Sequence, residues 1–417
     1  MPEVSSVSEL HEYLKSCKDP DFHGSEECGC VLKTVVSESK GIKSFTNSFW
    51  TKKQRQASSI HEISYRACFK PQLPRFFIEL LTDENDIVYD PFTGRGTTAI
   101  EAGLLGREVV SNDINPLSGI LCRPRLLVPE YGDIERRLSC IESERADIKT
   151  HTLSMFYHPD TEAEIVSLRN YLERRRASGT EDICDKWIRM VATNRLTGHS
   201  PGFFSVYTLP PNQAVSKERQ VKINAQRKQT PEYRNTTELI LKKTRRLLKN
   251  VNENELKKLR KSGENAVFLT NNATKTSGIP DSSVSLTVTS PPFLDIVRYD
   301  NDNWLRCWFN SLDAEEIRKS ITMSPTLKGW CKVMGEVFNE LYRITKPGGW
   351  VAFEVGEIRK GSLNLDEHVF PLGINAGFEC AGTLINEQNF TKTSNIWGIS
   401  NKKRGTNTNR VVIFQKN

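Results

Sequence analysis

Ile87-Val-Tyr-Asp-Pro-Phe-Thr-Gly-Arg-Gly-Thr-Thr-Ala-Ile-Glu-Ala-Gly-Leu-Leu105 is the stretch on which the fold turns. Its first residues, Ile87 to Asp90, read as a short buried strand. Gly94 and Gly96 permit positive φ and close approach of backbone to a ligand. Ala99 to Leu105 reads as a helix, with Thr97 able to cap its start. Strand, glycine turn and helix together have the geometry of a nucleotide-type cofactor loop. The spacing is not the dinucleotide fingerprint, because no third glycine follows Gly96 three residues on. It is not a phosphate-cradling P-loop either, because no Gly-Lys-Ser/Thr follows. Asp90 at the strand end favours a ligand with an amine or hydroxyls over a bare phosphate.

Working outward, residues 61–81 lead into this strand. Pro71 and Pro74 bracket a helix start, and Leu73, Phe77, Ile78, Leu80 and Leu81 give that helix an apolar face. Downstream, Arg107 to Pro116 reads as a second strand ending in Asp113. A carboxylate there either holds ribose hydroxyls, as in nucleoside-binding α/β folds, or caps a helix. The third strand, Ala266 to Thr270, follows only after a detour of about 150 residues, where one helix would ordinarily suffice. Asn271 or Asn272 then stands at that strand's edge, to bond a ligand base or to close a turn.

Next comes Ser285-Leu-Thr-Val-Thr-Ser-Pro-Pro-Phe293. The β-branched run is a strand that stops at two prolines, which have no N–H to continue a ladder. Ser290 is thus delivered to the C-terminal edge of the sheet, where open α/β folds bind ligands. The Ser290 hydroxyl and Pro291 carbonyl, on a turn stiffened by Pro292, are two acceptors suited to the two hydrogens of an exocyclic amino group. Phe293 offers a face for a base to stack on. The plainer alternative is a strand-end turn with a core phenylalanine. Further on, a helix from Lys328 to Ile344, Lys346-Pro-Gly-Gly349, the strand Trp350 to Val355, a weaker helix and strands at Ala381–Ile385 and Arg410–Gln415 complete the pattern. The last two strands fit an antiparallel pair. The fold class is therefore α/β: a mostly parallel sheet, an antiparallel last strand and a large, mainly helical insertion.

The detour, residues 118–264, divides in two. Residues 118–200 look helical, with Arg174, Arg175 and Arg176 on one face and Trp187 to Ala192 in an apolar segment. Residues 198–212 form a loop with three aromatic side chains, Phe203, Phe204 and Tyr207. Behind it, residues 214–262 hold fifteen Lys or Arg against five Glu, a local balance of +10, whereas the whole chain carries +7. Gln220, Asn224, Gln226, Gln229 and Tyr233 lie among these cations. That is the footprint of a surface for a phosphate backbone, or of a solvated, coiled-coil-like helix pair, above all in the half from Leu239 to Leu259. Little room for a further recognition domain is left in the C-terminal residues, which points back to the insertion.

Composition bounds the rest. With 417 residues and 37% apolar content, the chain supports one large domain with an insertion, or two domains. No apolar run reaches membrane-spanning length and no signal peptide opens the sequence, so the expectation is a cytoplasmic protein without a membrane partner. Ten cysteines lack any C-x-x-C pair. Cys28 and Cys30, with His23 nearby, read as free thiols in a reducing compartment and no metal site is expected. Residues 1–60 form an N-terminal extension with one helical pattern, Val7 to Leu14. Trp50, Lys52, Lys53 and Arg55 suit a basic linker, or a contact with a polyanion.

Taken together, Asp90-Pro-Phe-x-Gly-x-Gly-Thr97, Asp113, Ser290-Pro-Pro-Phe293 and Lys346-Pro-Gly-Gly349 resemble the S-adenosylmethionine-dependent amino-methyltransferases of DNA, in particular the cytosine-N4 type of restriction–modification systems. The resemblance covers about half of the chain. It implies a Rossmann-like methyltransferase sheet over residues 61–117 and 265–417, with the insertion at 118–264 recognising a double-stranded DNA target. It implies that Asp90, Pro91, Phe92, Gly94, Gly96 and Thr97 line the methionine and ribose part of S-adenosylmethionine and that Asp113 binds the ribose hydroxyls. Phe69, in Phe69-Lys-Pro-Gln-Leu-Pro74, would cover the methionine end, and Asn272 stands near the adenine where the family usually has Asp. Ser290, Pro291, Pro292 and Phe293 would hold a flipped cytosine for direct methyl transfer to its N4. No Pro-Cys pair ends a strand as C5 methylation would require; Cys68 reads as structural and Asp295 is a candidate proton acceptor. Adenine-N6 methylation, RNA methylation and a catalytically silent DNA-binding regulator are the other readings. A cognate restriction endonuclease sharing the target site would be a further partner.

Overall fold

A computed structural model describes residues 4–17, 34–39, 41–50, 57–65, 68–141, 151–208, 214–292, 299–321, 324, 326–358, 363–386 and 409–417, with the backbone alone at 299–302, 357, 358 and 363. Its strands are β1 (Val35–Ser39), β2 (Ile42–Asn47), β3 (Ile87–Asp90), β4 (Glu108–Asn112), β5 (Val267–Leu269), β6 (Val284–Thr289), β7 (Thr345–Val355), β8 (Glu357–Ile358), β9 (Leu363–Asn364), β10 (Glu379–Asn386) and β11 (Asn409–Gln415). The helices are α1 (Val7–Ser16), α2 (Gln72–Leu81), α3 (Thr97–Leu104), α4 (Leu117–Leu126), α5 (Tyr131–Ile141), α6 (Pro159–Ala177), α7 (Ile183–Arg195), α8 (Lys217–Arg227), α9 (Thr236–Leu248), α10 (Glu253–Asn265), α11 (Tyr299–Phe309), α12 (Ala314–Ser320), α13 (Leu327–Ile344) and α14 (Asp366–Ala376).

Among the described residues nine strands form one sheet in the order β1-β2-β10-β11-β7-β6-β3-β4-β5. From β5 to β7 all neighbours are parallel, whereas β11 runs antiparallel to both β7 and β10. The α/β class, the mostly parallel sheet and the antiparallel last strand are therefore as the pattern of the sequence implies. Successive strands step away from β3 in one direction (β4, β5) and from β6 in the other (β7). The boundary between β3 and β6 is the topological switch point, and in open sheets the crevice outside it binds ligands. Every residue of β6 is buried, as a central strand covered on both faces requires.

Two features depart from the sequence reading. Residues 42–47 of the N-terminal stretch add a strand to the main sheet, parallel to β10. Phe49 N donates to Asn386 Oδ1 at 2.8 Å and Gln415 Nε2 donates to Ser5 O at 2.8 Å, which ties this segment to the far end of the chain. Secondly, Lys346 to Gly349 do not form a separate turn but open β7 itself.

The helices between β4 and β5 share one apolar core with the sheet: Ile60, Leu126, Leu247, Leu259 and Leu286 belong to the same buried cluster. Arg175 Nε reaches Asp185 at 2.9 Å and Arg137 joins Asp182 at 2.7 Å, so arginines of α5 and α6 anchor the start of α7. Arg176 pairs with Glu173 and donates to Asn310 O. Of the loop aromatics, Phe203 and Phe204 are buried rather than displayed, because the loop folds back on α7. Among the described residues no helix is long and apolar enough to cross a membrane.

The glycine turn is shaped by packing. Gly96 sits at φ +82° directly before α3, and a Cβ there would lie 2.3 Å from Cys122 Sγ. Thr97 is the first helical residue and does not cap the helix; its hydroxyl accepts from Arg95 Nε at 3.2 Å instead. Gly96→Ala is expected to lose about 1–3 kcal/mol of stability, read as a lower midpoint in urea, whereas Gly41→Ala, in open space at φ +77°, should lose less.

Candidate active site

Parallel pairing brings the ends of β3 and β6 side by side. Thr289 Oγ1 donates to Asp90 Oδ1 at 2.6 Å, and Phe92 N donates to the same oxygen at 3.1 Å. Thr98 Oγ1 donates to Val288 O at 3.0 Å, clamping the start of α3 to β6. Asp90 is 1% exposed, and burial pushes its carboxyl up to about 7 against the pull of those donors. At the end of β4, Asp113 Oδ2 accepts from Gly94 N at 2.7 Å and Oδ1 from Asn115 N at 2.9 Å. Burial raises its carboxyl to about 6.

A cleft opens outside this edge. Tyr65, Pro91, Phe92, Gly94, Asp113 and Asn115 make one wall, Asn271, Asn272 and Ala273 a second. Ser290 and Pro292 stand at its far end, closed by Met334 and Val337 of α13 and Ile321 beyond α12. Asn271 is held there because Asn112 bonds both its N–H and its carbonyl, at 3.0 Å each. Asn272 lines the cleft and also closes a turn, accepting from Thr274 N and Oγ1 at 3.1 Å. Of the residues singled out in the sequence, Phe69, Gly96 and Thr97 are not in the cleft wall; the Phe69 carbonyl accepts from Arg95 NH2 at 3.5 Å. Asp90 lies directly behind Pro91 and Phe92, and Pro291 is buried. Phe293 and Asp295 lie outside the described residues, as do Cys28, Cys30 and His23.

Three residues that the sequence did not single out belong to the site. Glu354, buried in β7, accepts from Asn409 Nδ2 at 2.9 Å; burial raises its carboxyl, and the neighbouring Ser290 hydroxyl and Asn409 pull it down. In sequence it is one letter inside an apolar strand. Trp330 Nε1 donates to Pro292 O at 3.0 Å and fixes the double-proline turn. Tyr65 packs beside Gly94, where a glycine Cβ would come within 3.7 Å of its ring.

Asp90, Asp113 and Glu354 thus stand at one sheet edge. Residues 14–117 match the DNA methylase family. That span takes in Tyr65, the Asp90 loop and Asp113. The type II methyltransferase M.MvaI of Kocuria varians is 38% identical over 81 residues, 19% of this chain and 18% of its own. The type II methyltransferase M.BsoBI of Geobacillus stearothermophilus is 28% identical over 127 residues, 28% of this chain and 25% of its own. The chain thus spans a quarter or less of the length of these relatives. Among solved structures, an S-adenosylmethionine-dependent methyltransferase from Methanosarcina mazei aligns over 82% of this chain and 96% of its own, at 12% identity and a TM-score of 0.30.

The cofactor that goes with the DNA methylase match is S-adenosylmethionine, and the cleft fits it. No lysine or arginine is among the described residues that line it, which suits a ligand bearing a sulfonium and an ammonium. Gly94, at φ +53°, leaves the backbone open beside Asp113. Ionised carboxylates attract such a ligand and neutral ones do not. Binding of S-adenosylmethionine, followed by calorimetry, is therefore expected to tighten as pH rises through about 7, the value to which Asp90 is raised, and to level off about one pH unit higher. Asp90→Asn should weaken binding and move the inflection to about 6, where Asp113 titrates.

Proposed function

We propose that this protein is a site-specific DNA methyltransferase that transfers a methyl group from S-adenosylmethionine to the N4 amino group of a flipped-out cytosine, as the modification partner of a restriction endonuclease. The observation that carries the reading is Ser290 at the switch point, facing a cleft that Asp113 also lines, with buried Glu354 next to its hydroxyl. The relatives named type II methyltransferases support DNA as the substrate. Ser290 itself, where adenine-specific members of the resembled family usually carry Asp or Asn, favours cytosine.

Bound in the cleft, S-adenosylmethionine supplies an electrophilic methyl group. The chain's own residues prepare the nucleophile. A cytosine amino group is a poor nucleophile because its lone pair is delocalised into the ring. With its proton committed to Glu354, Ser290 Oγ turns lone pairs to the cleft and accepts one amine hydrogen; the Pro291 carbonyl accepts the other. Two acceptors on one nitrogen favour a pyramidal geometry with the lone pair free. The proton released afterwards passes to Ser290 Oγ as Ser290 gives its own to Glu354, whose raised affinity for protons suits it as acceptor.

Digestion of methylated DNA to nucleosides, followed by mass spectrometry, tests the substrate: N4-methylcytosine is expected, and N6-methyladenine would transfer the reading to adenine. Ser290→Ala is expected to lower kcat by about 10²–10³-fold. Glu354→Gln should lower it by about 10²-fold while leaving the S-adenosylmethionine Kd within twofold. Retained activity in both variants would refute the assignment of the site.

A further inference from the structure

Most of the fifteen cations of residues 214–262 fall into two groups with different fates. Those of α9 and α10 are largely consumed in holding the insertion to the rest of the chain. Lys243 is buried and donates to the Glu62 carbonyl, and Arg246 pairs with the Glu62 carboxylate. Lys258 reaches Glu84 and Arg260 reaches Glu130, both at 2.6 Å. Lys261 donates to Asn85 Oδ1 at 3.0 Å, and Arg245 Nε to Tyr131 OH at 2.8 Å. An ion pair already made has little left to offer a phosphate.

The cations of α8 and its C-terminal turn differ. Arg219, Lys222, Arg227 and Lys228 are exposed, and among the described residues none of them is in an ion pair. Arg227 lies over the ring of Tyr207, its guanidinium carbon 3.7 Å from the centroid. Lys228 occupies the left-handed region at φ +49°, the helix-ending position that ordinarily belongs to Gly or Asn. A lysine there keeps a cation at the cost of backbone strain. The inner side of α8 is fixed by amides: Gln220 Nε2 donates to Tyr207 O at 3.1 Å, Asn224 Nδ2 to Met155 O at 2.7 Å, and Gln229 Nε2 to Tyr207 O at 2.9 Å. Just before the helix, Val215 O accepts from Trp304 Nε1 at 3.2 Å. Trp304 belongs to α11, so the start of α8 is tied to that helix.

We propose that the exposed face of α8, from Arg219 to Lys228, is the surface that lies along the phosphate backbone of duplex DNA, and that α9 and α10 are not. The face runs for about 13 Å, roughly four nucleotide rises along one strand. The proposal rests on the reading of DNA as the substrate.

The test uses the full chain and a fluorescein-labelled duplex, with anisotropy followed from 0.05 to 0.3 M salt. Arg219→Ala/Lys222→Ala/Lys228→Ala is compared with Lys242→Ala/Lys249→Ala/Lys257→Ala, which removes three exposed cations of α9 and α10 and their connections. Three lost phosphate contacts should reduce the slope of log K against log salt by about 2.7 and weaken binding about tenfold or more at the low end. The control triple should match the wild type, and Lys222→Ala alone should reduce the slope by about 0.9. An unchanged slope in the α8 variant, or an equal drop in the control, would overturn the assignment while leaving DNA as the substrate. Wild-type protein that ignores the duplex but binds structured RNA would overturn the DNA reading and this surface together.

Discussion

The hydrogen bond from Thr289 Oγ1 to Asp90 Oδ1, 2.6 Å long, joins the two strands on either side of the switch point. One strand carries the glycine loop and the other carries Ser290. Because the strands are parallel neighbours, both loops leave the sheet in the same direction, and a bond across their last residues fixes the distance between them. Thr98, bonded to Val288 O, adds a second tie from the following helix. A buried carboxyl is costly unless bonded, so Asp90 and Thr289 hold each other in place. Asn112 does the same for Asn271 one strand further on.

What could be read from sequence was what local rules punctuate. The strand from Ile87 to Asp90 ends at Pro91, the strand before Ser290 ends at two prolines, and α2 opens at Pro71; each boundary follows from a residue that cannot continue the element. The antiparallel end of the sheet was legible from two apolar runs late in the chain. The contribution of residues 42–47 was not, because that strand is mixed in polarity and its neighbour, β10, is found only through tertiary contacts such as Phe49 to Asn386, 337 residues apart. Glu354 escaped for the opposite reason: it lies in an apolar strand, and only three-dimensional pairing sets it beside Ser290. Thr97 looked like a cap, yet Gly96 in a left-handed conformation takes that position.

The insertion shows how charge in sequence misleads about charge in space. A run of cations reads as one patch, but helix geometry sends successive residues to different sides. Glu62, Glu84 and Glu130 lie far upstream of the cations that they neutralise, so no window on the sequence reveals the pairing. Similarly, two of the three aromatic residues of the 198–212 loop are core residues, and the third is covered by Arg227.

The union of Ser5 with Gln415, 410 residues apart, has a consequence for how the molecule is made. β2 can pair with β10 only after the more than 300 intervening residues exist, and long loops delay such contacts. During synthesis, the β1–β2 hairpin must wait with its edge open while the glycine loop and the insertion take shape. A ribosome-bound chain that stops short of β11 has the glycine loop but lacks Asn409, the residue that holds Glu354. Maturation of the Ser290 end of the cleft is in this way coupled to the synthesis of β11.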